Sequence, residues 1–139
     1  MPPFPDSPDS SDPFAGFELI ATYSRSDALR EGTLLDLSDL AFESGFVVPV
    51  AATAAVYHNY LNPSADLIAE GQSLTGRAHD LLFVLRVAIA ASPSTDTLFF
   101  KVLFVLASGR PAVPVPLKAI IGPGDSGEPV LTILEPEED

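Results

Sequence analysis

Between Ala91 and Thr97 the hydrophobic period of this chain changes, and that change limits the folds open to it. Upstream, Leu74, Ala78, Leu81, Leu82, Leu85, Ala88 and Ile89 recur at helical spacing. Downstream, TLFFKVLFVLA (97–107), VPVPLKAII (113–121) and PVLTIL (129–134) are short runs rich in aromatic and branched residues, separated by SGRP and GPGDSGE. One long helix followed by three strands with tight turns predicts a helix packed on an antiparallel meander. The second half of that helix, LLFVLRVAIAA, is apolar nearly all round, which marks it as central and buried. Pro114 and Pro116 have no N–H to give to a ladder, so their strand needs an unpaired side at its start.

Shorter helices precede it. In SRSDALREG, Ser24 stands in N-cap position, Asp27 three residues later completes a capping box, and Gly32 is a stop. TLLDL (33–37) is extended in character, and SDLAFESG repeats the grammar with Ser38 as cap and Gly45 as stop. Pro49 marks a further helix start, predicting a helix over 50–61 with Val50, Ala54, Tyr57 and Leu61 on one stripe. PSADLIAEGQS has room for a short turn of helix closed by Gly71. The expected class is α+β: short N-terminal helices and one long buried helix packed on a C-terminal three-stranded antiparallel meander. This forms a single domain over 17–134, opening on the apolar stretch FELIATY (17–23). Residues 1–16, with five prolines and three aspartates, read as a flexible leader, and EPEED (135–139) as an acidic tail.

Composition removes several function classes. Without cysteine there are no disulfides, thiolate zinc sites or cysteine nucleophiles. No apolar run reaches the roughly 18 residues that cross a bilayer, and the first residues lack the basic-then-apolar order of a secretion signal. A cytoplasmic protein with no membrane partner is expected. The net charge of −12 opposes direct contact with nucleic acid. Seven of those charges lie in the leader and tail, and residues 17–134 carry twelve acids against seven bases.

The stretch GPGDSGEP (122–129) resembles the GDSGGP run around the nucleophile of trypsin-like serine proteases. A nucleophilic Ser126 would need a histidine base, an orienting carboxylate and an oxyanion hole. His58 and His79 both fall on predicted helices, Glu128 replaces the second glycine, and 139 residues are too few for the two-barrel scaffold. The stretch reads instead as a hairpin turn, with Gly122, Gly124 and Gly127 supplying positive φ and Asp125 bonding nearby amides. No helix follows to hold a phosphate, and Asp125 and Glu128 would repel one. His79 and Asp80 are adjacent, about 100° apart on a helix, and cannot share a metal. No catalytic residue, cofactor or metal is therefore expected. Arg86, alone in an apolar run, is expected either to reach the helix edge or to pair with a carboxylate, and the same holds for Arg25 at a helix start; Asp36, Asp80 and Asp125 are the candidate partners.

The feature least explained by structure is the acidic series Asp27, Glu31, Asp36, Asp39 and Glu43, opposed by Arg30 alone. Asp27 with Glu31, and Asp39 with Glu43, are four apart and share helix faces. Such a series is either a solvated face or a carboxylate surface that docks on a basic protein groove.

Three blocks carry a family resemblance. They are Tyr23, Arg25, Ala28, Gly32, Leu34 and Asp36; then Asp80, Leu82, Leu85 and Arg86; then the closing LKAxxGPGDxGEPxxTI from Leu117 to Ile133. In these the chain resembles a family of small acidic bacterial proteins of unknown function, frequent on plasmids and other mobile elements. The resemblance implies that aspartate is accepted at the Ser126 position, and it supplies no reaction, cofactor or catalytic residue. It departs in one respect, since this chain has no tryptophan. Setting and charge together lead to the expectation of a non-enzymatic protein that binds another protein. The partner expected is a nucleic-acid-binding host defence complex, in the manner of an anti-CRISPR or anti-restriction protein. The alternative is an accessory or structural protein of plasmid maintenance, acting as a homo-oligomer through exposed edge strands. An uncharacterised enzyme stands third.

Overall fold

The computed structural model of the chain describes residues 23–92 and 94–138. The leader 1–16 and most of FELIATY lie outside the described residues. Ten elements follow: α1 (Arg25–Glu31), β1 (Leu34–Asp36), α2 (Ser38–Glu43), β2 (Val50–Thr53), α3 (Ala54–Val56, continued by a π-helical turn Tyr57–Leu61), α4 (Ala65–Ala69), α5 (Leu74–Ala91), β3 (Thr97–Phe104), β4 (Val113–Pro123) and β5 (Pro129–Leu134). The α+β class holds, with a long helix against a sheet, but among the described residues the sheet has five strands in the order β1-β2-β5-β4-β3.

The expected antiparallel meander is thus only part of the sheet. β3, β4 and β5 are antiparallel neighbours, and β2 joins β5 in parallel with Val50 opposite Leu131 and Ala52 opposite Ile133. β1 pairs with the other side of β2, antiparallel to it. The helix expected over 50–61 is corrected accordingly: Val50–Thr53 is a strand flanked by β1 and β5. Thr53 starts the helix, its hydroxyl accepting from Val56 N. Pro49 instead serves the sheet, its carbonyl accepting from Leu131 N at 2.9 Å. Pairing of β4 with β5 begins at Lys118, so among the described residues Val113–Leu117 has a strand partner on the β3 side alone. The open side accommodates the donors that Pro114 and Pro116 lack.

Alternation gives the sheet two unlike faces. Val50, Ala52, Phe100, Val102, Phe104, Val115, Leu117, Leu131 and Ile133 point to one side, the inner face, where they form the core with Ala78, Leu81, Leu82 and Leu85 of α5. α2 lies on this side as well, through Ala41 and the preceding Leu37. α1 lies on the other side, since Arg25 donates to the hydroxyl of Thr132, which alternates with Leu131 and Ile133. α5 is not buried all round. Its sheet-facing stripe runs Arg77, Ala78, Leu81, Leu82 and Leu85, while Phe83 is 66% exposed and Val87 is exposed beside it.

Caps set the helix ends as the residues dictate. Ser24 and Asp27 form the capping box of α1, and Gly32 ends it with φ +85°. Ser73 caps α5 by accepting from Gly76 N at 3.0 Å. Ser38 does not cap α2; its hydroxyl accepts from Val50 N at 3.1 Å, tying the helix to β2, while Asp36 accepts from Ser38 N at 2.9 Å.

Gly45 turns the chain out of α2 with φ +97°, and a Cβ there would stand 2.9 Å from Arg86 Nη1. Gly45→Ala is expected to destabilise by about 1–2 kcal/mol, through left-handed strain and displacement of Arg86. Gly71→Ala, at the same φ with open space around it, should lose less. Urea midpoints of the two variants test this, and equal losses would show that the Arg86 contact contributes nothing.

Candidate functional site

The glycine-rich stretch proves to be a clasp on α1. Asp125 accepts from the backbone N–H groups of Arg25 at 2.8 Å and Ser26 at 3.0 Å, capping α1 across a hundred residues of chain. Those two N–H groups have no partner within the helix, so a carboxylate there meets both the hydrogen-bond and the dipole requirement. Arg25 returns the contact, donating to Thr132 Oγ1 at 2.7 Å and Leu131 O at 3.0 Å. Burial lowers the pKa of its guanidinium, and the charges of Asp36, Asp125 and Glu128 oppose that. The side chain therefore finds two of its expected carboxylates as neighbours, together with backbone and hydroxyl acceptors.

Within the loop, Gly127 alone of the three glycines takes positive φ, at +83°. Gly122 is part of β4, and at Gly124 a Cβ would meet Glu128 Oε2 at 2.5 Å, so a side chain there would displace the Glu128 carboxylate. Glu128 accepts from Ser126 N at 2.9 Å. His79 pairs with Ser44 across α5 and α2, and His58 stacks edge-on against Tyr57. Neither is a partner of Ser126.

The five acids of the N-terminal series are divided by the sheet. Asp27 and Glu31 lie on α1, and Asp39 and Glu43 on α2, on opposite faces. Asp27 is engaged with Arg30 and Ser24, and the Arg30 hydrogen bond first, then those from Ser24, hold its carboxyl below the ordinary range. Glu31 accepts from Tyr23 OH at 2.8 Å, and Asp36 caps Ser38. Asp39 and Glu43 remain exposed with no hydrogen bond among the described residues. Glu43 opens onto a groove between α2 and α5 that also holds His79, Asp80, Phe83 and Arg86. Arg86 is fixed there by donating to Ser44 O at 2.6 Å, at the carbonyl end of α2.

Arg77 is a buried charge outside the set of arginines that the sequence singles out. It is 3% exposed, lies over the Phe104 ring at 5.2 Å and donates through Nη2 to Val105 O. Its Nε has no partner among the described residues. Burial lowers its pKa and Asp80 opposes the shift. Its spacing gave the signal: Arg77 precedes Leu81 by four and Leu85 by eight, on the buried stripe.

The tail also folds back. Glu135 accepts from Tyr60 OH at 3.1 Å and Asn59 Nδ2 at 3.2 Å, Glu138 accepts from Thr53 OH at 2.8 Å, and Lys118 donates to Glu138 O. α1 contacts β1 and β5, and this segment contacts β2 and, at Lys118, β4; among the described residues nothing covers the outer face of β3 and the start of β4. Phe99 and Leu103 on β3 are 64% and 65% exposed there, with Lys101 between them. Their cross-strand partners are Lys118, Pro114 and, for Lys101, Pro116. Two large apolar side chains on one strand face, next to two exposed prolines, form the kind of surface that docking covers.

The described residues contain no group of three His, Asp or Glu side chains placed to hold a metal ion, and no helix long and apolar enough to cross a membrane. What fold and surface define is a small α+β protein in which a polar network clasps α1 to the sheet. A family model matches residues 11–139, and the chain belongs to that family, described as a family of unknown function (DUF6573). No curated protein and no solved structure matches the chain.

Proposed function

We propose that this protein acts without catalysis by binding another protein through the open outer face of β3 and β4. The observation that carries this is the exposure of Phe99 and Leu103 on the same face of one strand. Aromatic and aliphatic anchors of this kind supply most of the energy of an interface, and Lys101 between them gives it register. The net charge of −12 favours a partner with a basic surface and repels nucleic acid. On that ground the finer reading is a mobile-element protein that antagonises a host defence complex, such as CRISPR or restriction. It would occupy the basic site of that complex, its net negative charge steering the approach; exposed Asp39 and Glu43 lie on α2, across the sheet from the β3–β4 outer face, and would act on that approach rather than in the contact.

Assembly into a homo-oligomer through strand edges, as for a structural protein of plasmid maintenance, has one observation in favour: β3 is the outermost strand among the described residues. Lys101 in its middle weakens that reading, because a charged side chain on an edge strand discourages pairing with a second copy.

Tagged protein incubated with host lysate tests the reading. The account expects a partner whose recovery falls at least about tenfold for Phe99→Ser with Leu103→Ser, the loss of two buried anchors. Asp39→Lys with Glu43→Lys should reduce recovery less, and more at low salt. Recovery of the chain's own copies alone, or of a partner indifferent to Phe99 and Leu103, would sink the proposal.

A further inference from the structure

α5 stops before the inner face of the sheet does. Ile121 alternates inward with Val115, Leu117 and Ala119, yet it is 40% exposed, whereas its cross-strand neighbour Leu131 is buried. The helix ends at Ala91, and β3 begins at Thr97. Beside the end of α5 is a cavity of about 330 Å³, lined on its apolar side by Ile89, Leu98, Ala119 and Ile121. Its rim carries Ser92, Ser94 and Asp96. The volume is that of a small-ligand site, and the mix of apolar wall and few polar rim groups is the usual lining of one.

The rim is electrically one-sided. The last carbonyls of α5 lack intrahelical partners, apart from Ile89 O, which accepts from Ser92 N at 3.1 Å. The negative end of the helix dipole therefore points there, and no basic residue occupies the last turn to offset it. Asp96 adds a full negative charge, and no salt bridge to it is found among the described residues. Its backbone is held by Ile121 N at 2.9 Å, which fixes the rim to the wall.

We propose that this cavity binds an aliphatic primary ammonium group, alkyl chain against Ile89, Leu98 and Ile121, and cationic head at Asp96 and the carbonyl end of α5. A carboxylate of the same length would meet two negative features and be excluded. The chemistry is that of a free alkylamine and equally of a lysine side chain presented by a protein. This site is separate from the β3–β4 outer face, and it stands or falls independently of that surface.

The test is an amide-shift titration of the full chain, by ¹H–¹⁵N correlation spectra, with n-hexylamine against hexanoate at equal ionic strength. Saturable shifts at Ile89, Leu98 and Ile121 with the amine, and binding about tenfold weaker or absent with the carboxylate, are expected. Asp96→Asn should weaken the amine about tenfold. Ile121→Trp, which fills the mouth from a half-exposed position, should abolish the shifts while leaving the rest of the spectrum unchanged. A parallel titration with Nα-acetyl-lysine methylamide distinguishes the sources: shifts at the same residues point to a partner's lysine, and shifts with hexylamine alone to a free amine. No saturation with either amine, equal binding of hexanoate, or an Ile121→Trp variant that still binds would overturn the proposal.

Discussion

Leu82→Ala should destabilise this protein by about 2–5 kcal/mol, the largest effect of any single truncation considered. Leu82 is fully buried between α5 and the inner face of the sheet, so its removal leaves a cavity that the rigid strands cannot close. The neighbouring Phe83→Ala, although it removes a larger side chain, should change stability by no more than about 0.5 kcal/mol, because Phe83 lies mostly in water. Urea denaturation of both variants makes the comparison. Similar losses at the two positions would mean that α5 is covered on both sides, as its apolar sequence alone suggests.

The second large effect is expected from a loop with no apolar side chain in it. Asp125→Ala should destabilise by about 2–3 kcal/mol, since it frees two backbone N–H groups of α1 and takes one counter-charge from Arg25. The loss should be local. Amide exchange in α1 should accelerate well beyond that in β3 and β4, whose ladder does not depend on the clasp. Combining it with Arg25→Met should give less than the sum of the two, by roughly 1 kcal/mol, because both act on one contact network. Full additivity would show that the two side chains do not support each other.

Local grammar made part of this fold legible. The capping box of Ser24 and Asp27, the stop at Gly32, the period of α5 and the three C-terminal strands are encoded within a few residues each, and they form close to where the sequence places them, β3 stopping at Phe104 short of the run to Ala107. What was hidden depends on distant partners. Val50–Thr53 has the small and branched residues of a helix or a strand, and the parallel pairing with β5, some eighty residues later in the chain, decides for the strand. β1 and β2 then extend what reads locally as a meander. Phe83 and Val87 look buried because hydrophobicity says nothing about how many faces of a helix find a partner.

The candidate sites divide in the same way. The acids of α1 and α2 are close in sequence and on opposite faces of the sheet, and three of the five have structural partners. The opening and closing motifs of the family resemblance lie far apart in sequence and meet in space, with Asp125 on the N–H groups of Arg25 and Ser26. The protease-like spelling of GPGDSGEP therefore reflects the geometry of a clasp. The exposed pair Phe99 and Leu103 was available from strand alternation, but that they stay open depends on where α1 and the tail lie.

The central claim separates a clasp that stabilises from a face that binds, and partner capture normalised to the folded fraction tests it most directly. Captured at a temperature where all proteins are folded, Asp125→Ala should recover the partner as the wild type does. Phe99→Ser with Leu103→Ser should keep its stability and lose the partner. The reverse pattern, with capture lost in folded Asp125→Ala and retained in the double variant, would contradict the account and return the glycine-rich loop to the centre of the function.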